Sequence, residues 1–112
     1  MVELISDGDA GPRAIVQEVA NQAGVVTFRV GGQLDVSTEG LLREALTSAV
    51  AAGTSKIVLD VSDLDFMDSS GLAVLLAAAR EVPLELRDPT TVVRRLITIT
   101  GLTETLRMTP DA

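Results

Sequence analysis

Leu41, Leu42, Ala45, Leu46, Ala49 and Val50 recur at i, i+1, i+4, i+5, i+8 and i+9, with polar residues between them. That is one apolar stripe at the 3.6-residue period, and it predicts an amphipathic helix with one face against a core. Ser37 or Thr38 is positioned to cap its start, Glu39 suits its first turn, and Gly53 supplies a C-terminal stop. Val92, Val93, Leu96 and Ile97 repeat the stripe further on, and Gly101 follows as a C′ residue. Asp88 and Pro89 precede this second stripe and are expected to be its N-cap and first helical residue.

Other apolar runs have the shape of strands. Residues 14–20 and 25–30 are short and rich in β-branched residues, and Asn21-Gln-Ala-Gly24 between them predicts a hairpin. A strand is predicted over 56–61, where Ile57-Val58-Leu59 is uniformly apolar, and another over Leu84-Glu-Leu-Arg87, which alternates. The last strand is expected at about 104–108. Residues 1–13, with two glycines and a proline, read as a flexible lead-in, although Leu4 and Ile5 could pair with another strand. After the hairpin, strands and helices alternate. The fold class that follows is α/β, a single domain over 14–109 with a mixed β-sheet of about four to five strands covered by helices.

Composition narrows the chemistry. Hydrophobic residues make up 46% of 112, with Phe28 and Phe66 as the two aromatics, so the core must be aliphatic. The net charge of −7 repels phosphate backbones and anionic lipid, which argues against a nucleic acid or a membrane surface as partner. The absence of cysteine and histidine removes disulfides, thiolate nucleophiles, imidazole bases and the commonest metal ligands. No apolar run reaches membrane-spanning length and no secretory leader is apparent, so a cytoplasmic location is expected.

The chemistry that remains is concentrated in Leu64-Asp-Phe-Met-Asp68-Ser69-Ser70-Gly71, followed by the apolar helix formers Leu72 to Ala79. Asp and Ser are favoured at helix N-termini, where their oxygens accept unpaired N–H groups and an anion is tolerated. Asp60, Asp63, Asp65 and Asp68 form an acidic cluster. Counted from Asp63, a calcium loop would need Gly at position 68 and Glu at position 74, where the chain has Asp and Val, so no metal is assigned. Leu64 and Phe66 are expected to be core contacts between the acids. Gly31-Gly32 matches neither phosphate-loop spacing, so no nucleotide cofactor is expected. No catalytic set emerges, and the chain is not expected to be an enzyme.

The string Leu64 to Leu76 resembles the signature of the STAS domain family, and within it the bacterial anti-sigma factor antagonists. Gly32-Gln-Leu-Asp35 resembles that family's Gly-x-Leu-Asp. Pro89-Thr-Thr-Val-Val-Arg-Arg-Leu96, with Thr100-Gly-Leu102, resembles its third motif. The resemblance implies a STAS-like fold and a partner-switching role. The chain would bind an anti-sigma factor with serine kinase activity, free a sigma factor, and be switched off by phosphorylation; a serine phosphatase would reset it. It places the phosphoacceptor at Ser69, with Ser70 as the alternative, and partner contact at Asp35, Asp68, Ser69, Ser70 and Gly71. The expected oligomeric state is a monomer or weak dimer. A different role on the same family's scaffold would be a non-phosphorylated scaffold or lipid-transport accessory protein, in which Ser69 only caps a helix. One departure concerns partner choice: between Gly71 and Pro89 the chain is about seven residues, or about two helical turns, shorter than is typical of the antagonists.

Overall fold

The computed structural model describes residues 3–5, 14–103 and 105–109; for 3–5 it describes the backbone alone. In chain order the elements are β1 (Glu3–Ile5), β2 (Ala14–Gln22), β3 (Val25–Leu34), α1 (Glu39–Ala51), β4 (Lys56–Asp60), β5 (Leu64–Met67), α2 (Ser69–Ala79), β6 (Leu84–Arg87), α3 (Thr91–Ile99) and β7 (Arg107–Thr109). The sheet is mixed, as expected. Its order is β1-β2-β3-β4-β6-β7, with β5 also paired to β3. β1–β2 and β2–β3 are antiparallel, and the pairings from β3 onward are parallel. Among the described residues it counts seven strands rather than four to five, because two short ones, β1 and β5, join the five expected. β1 realises the pairing considered for Leu4 and Ile5; the rest of the lead-in lies outside the described residues.

One face of the sheet carries the core. Val26, Phe28 and Val30 of β3, Ile57 and Leu59 of β4, and Leu84 and Leu86 of β6 point into a single cluster. Leu42, Leu46 and Ala49 of α1, Leu72, Leu75 and Ala78 of α2, and Val93 and Ile97 of α3 fill it from the helix side. Val58 is buried but stands apart from that cluster, on the opposite face, as strand alternation requires. Around it on that face are Thr27 and Glu85, with Arg29, Asp60 and Arg87 at the next register position, so this side of the sheet is polar. The helices stop where the sequence indicates. Gly53 and Gly101 have φ of +86° and +75°. Each sits in a paired set of bonds, Thr54 N–H to the Ala49 carbonyl with Gly53 N–H to Val50, and Leu102 N–H to Ile97 with Gly101 N–H to Thr98. These are Schellman caps.

Three local expectations are corrected. Asp88 is not the N-cap of α3. Its φ is +55°, whereas a cap residue needs extended backbone, and its N–H donates to the Thr109 carbonyl at 2.6 Å, tying it to β7. Thr90 takes the cap position, so Pro89 falls one residue before it and not at the first helical position. Phe66 is not a core contact: it is 41% exposed, and Leu64 and Met67 are the buried residues of β5. The last strand begins at Arg107, later than expected, because Thr105 and Leu106 turn back on Leu102 after α3; Glu104 lies outside the described residues.

Candidate functional site at the carboxyl ends of β3 and β5

β3 is long enough to serve two parallel partners in succession. Val25–Arg29 pair with β4, and after Val30 and Gly31 the remaining Gly32–Leu34 pair with β5. The step between partners is closed by the Gly32 N–H, which donates to the Asp63 carbonyl at 3.0 Å. Leu34 and Met67 are partners at the ends of β3 and β5. Asp35 and Asp68 are therefore the next residues on two adjacent parallel strands, and the Asp68 N–H donates to the Leu34 carbonyl at 3.1 Å. α1 begins just after the first of these acids and α2 just after the second. The crevice beyond the carboxyl ends of parallel strands, where helices begin, is the usual place for a binding site in sheets of this kind.

Asp68 is the N-cap of α2. Its Oδ1 accepts the Ser70 N–H at 2.8 Å and the Gly71 N–H at 3.3 Å. The capping oxygen thus belongs to Asp68 and not to a serine, and Ser69 is free for other work as the first helical residue. Ser69 is exposed and Ser70 half-buried. Gly71, assigned to partner contact in the sequence, is buried and has no side chain to offer a partner. Its role lies beneath the surface: a Cβ there would stand 2.8 Å from Leu34 Cγ and 3.0 Å from Met67 Cγ. Glycine at this position lets the first turn of α2 lie directly on the ends of β3 and β5.

Asp35 is bound into its own turn. Its Oδ1 accepts the Ser37 hydroxyl at 2.7 Å and the Ser37 N–H at 2.9 Å, and its carbonyl accepts the Glu39 N–H at 2.8 Å. The Ser37 hydroxyl and then its amide, with Thr38 behind them, hold the carboxyl below its ordinary value against an opposing push from desolvation. Asp35 is therefore ionised at neutral pH, and among the described residues its Oδ2 has no hydrogen-bond partner. The acidic cluster is dispersed: Asp60 accepts the Ser62 hydroxyl at 2.7 Å, Asp68 caps α2, and Asp63 and Asp65 are exposed.

Sequence reasoning missed the groove beside this site. From Leu72 onward α2 is apolar on every side, and its outer residues Ala73 and Ala77 are exposed, with Val74 and Ala78 behind them. With Leu46, Val50 and Ala51 of α1 they line an open groove of about 530 Å³, with Arg43 and Glu81 also on its wall. The signal that would have found it is the run Leu72 to Ala79, eight residues with no polar position for solvent to occupy.

The comparisons with known proteins bear on the family and the fold. The STAS domain family model matches residues 17–111, and the chain belongs to that family. The anti-sigma-F factor antagonist RsfB of Mycobacterium tuberculosis is 31% identical over 103 residues, covering 88% of this chain and 84% of that protein. An anti-sigma factor antagonist from Mycobacterium paratuberculosis superposes with a TM-score of 0.77 at 27% identity, covering 93% of this chain and 90% of the other. The Bacillus anti-sigma factor antagonist SpoIIAA aligns at 25% identity over 83% of this chain, in its unphosphorylated form (TM-score 0.73, 86% of that chain) and in its phosphorylated form (0.67, 89%). Among the described residues, no helix is long and apolar enough to cross a membrane.

Proposed function

We propose that this chain is an anti-sigma factor antagonist that works by binding and not by catalysis. In its unmodified form it engages an anti-sigma factor that is also a serine kinase, and so frees a sigma factor in the cytoplasm. Phosphorylation of Ser69 ends the interaction, and a phosphatase restores it. The observation that carries this reading is the exposed Ser69 hydroxyl at the first position of α2, one residue beyond a cap that occupies Asp68 instead. Ser70 is the weaker candidate, being half-buried one residue further into the helix.

The geometry suits a switch acting on the interface and not on the fold. A phosphate at Ser69 adds about −1.5 to −2 charges at the positive end of a helix, where an anion is tolerated. The SpoIIAA matches support the same point, since a STAS domain of this shape exists in both forms. A partner that fits a neutral hydroxyl between Asp35 and the α2 groove would meet a dianion beside a carboxylate already ionised. Losing ~2.7 kcal/mol of binding there would weaken the complex about a hundredfold.

The test is to incubate the purified chain with ATP and each purified anti-sigma factor kinase of the source organism, then locate phosphate by mass spectrometry. Phosphate on Ser69, absent from Ser69→Ala, is the expected result. Phosphate confined to Ser70, or none with any of the kinases, contradicts the assignment.

A further inference from the structure

Thr38 is the N-cap residue of α1, yet its hydroxyl does not cap the helix. A threonine at this position usually accepts an amide from the first helical turn. Here the side chain is 1% exposed and turns back toward the strand it has just left. The Oγ1 donates to the Gln33 carbonyl at 2.8 Å and accepts the Asp35 N–H at 3.0 Å, with Asp35 Oδ1 3.3 Å away. Its two backbone partners bracket Leu34. That residue's carbonyl receives the Asp68 N–H, and its side chain lies under Gly71. A single buried hydroxyl therefore fixes the three-residue segment that carries Asp35 and touches the Ser69 turn at two points.

We propose that Thr38 is a positioning residue of the partner-binding site, its hydroxyl setting the Asp35 carboxylate at the spacing from Ser69 that the kinase partner recognises. Thr38 does not touch the partner and acts through Asp35. The partner group that answers a carboxylate with a free Oδ2 is a cationic donor, a lysine or an arginine. This inference rests on the reading of Ser69 as the acceptor.

The experiment is steady-state phosphorylation of the intact chain by the kinase that modifies it, with each variant confirmed folded by circular dichroism at the assay temperature. Thr38→Val removes the hydroxyl and keeps the shape. It is expected to raise KM for the chain about tenfold while kcat changes little, the pattern of a lost binding contact. Thr38→Ser restores the hydroxyl and should bring KM back to within about threefold of wild type. Asp35→Ala should raise KM as Thr38→Val does, and adding Thr38→Val to it should change nothing more, because the two act through one contact. If valine at 38 does not fold, Thr38→Ala, which adds no bulk, takes its place in the cycle. A folded Thr38→Val with wild-type KM overturns the proposal, as does a full additional KM penalty in the Asp35→Ala background. If wild-type chain is itself not phosphorylated, the underlying reading falls and the proposal with it, an outcome distinct from the other two.

Discussion

Two glycines in first helical turns should respond to alanine in opposite directions. Gly71 and Gly40 occupy early positions of α2 and α1. At Gly71 an added Cβ would stand 2.8 and 2.9 Å from Leu34 Cγ and Cδ2, and 3.0 Å from Met67 Cγ. Met67 can yield, being unbranched and flexible. Leu34 is fully buried at the end of β3, in an interior that is close-packed. Overpacking of this kind costs about 1–3 kcal/mol, and the gain from replacing glycine in a helix offsets about 0.5–1 kcal/mol of it. A net loss of about 1–2 kcal/mol lowers Tm by about 5–15 °C for a domain of this size. At Gly40 nothing lies within 4 Å of the added Cβ, so only the backbone term remains. Gly40→Ala should gain about 0.4–1 kcal/mol and raise Tm by a few degrees. Thermal unfolding of the two variants beside wild type, followed by circular dichroism, is the assay. A Gly71→Ala protein as stable as wild type or more so would refute the claim that Gly71 exists to seat α2 on β3 and β5. In that case its place in the site would have to be explained by contact with a partner.

Asp68→Ala removes the side chain that accepts two amides of α2 and should cost about 0.5–2 kcal/mol in urea unfolding, whereas Ser69→Ala, which removes no cap, should cost much less. The Lys56 ammonium at 2.9 Å, and then the Thr109 hydroxyl, hold the Glu85 carboxyl below its ordinary value of 4.5. The stability this gives is complete above that value and is lost as pH falls through the lower folded one; Glu85→Gln should therefore show a flatter decline in urea midpoint between about pH 5 and 3 than wild type. Ala77→Glu places a charge on the exposed wall of the α1–α2 groove and should weaken anti-sigma factor binding at least about tenfold in a titration with little change in Tm, since residue 77 faces solvent.

Much of the fold is legible because the relevant signals are local. The stripe Leu41 to Val50 needs nothing beyond its own spacing to declare α1, and Leu84–Arg87 alternates within its own four residues. β5 was hidden for the opposite reason. Its burial does not alternate, with Leu64 and Met67 inside and Asp65 and Phe66 outside, because it pairs with only the last three residues of β3 across an irregular register. Phe66 reads as core because Leu64 and Phe66 are the apolar positions between the acids, and the irregular register turns it outward. Asp88 carries a good cap residue's chemistry, but the hydrogen bond from its N–H to Thr109, distant in sequence, fixes the backbone conformation that excludes capping. At the site, Asp35, Asp68, Ser69 and Ser70, which the resemblance names as partner contacts, stand together at the carboxyl ends of β3 and β5. What pattern could not supply was the division of labour among them: the cap at Asp68, the packing role of Gly71 and the inward turn of the Thr38 hydroxyl are decided by tertiary contacts.

Release of a sigma factor separates the unmodified form from the phosphorylated one. A preformed complex of the kinase anti-sigma factor with its sigma factor is titrated, without ATP, with the unmodified chain and separately with chain phosphorylated at Ser69, and free sigma factor is measured by size-exclusion chromatography. Unmodified chain should displace the sigma factor near stoichiometric addition, and the phosphorylated chain should need about a hundredfold more. Equal release by the two forms, or no release by either, would rule out the switch.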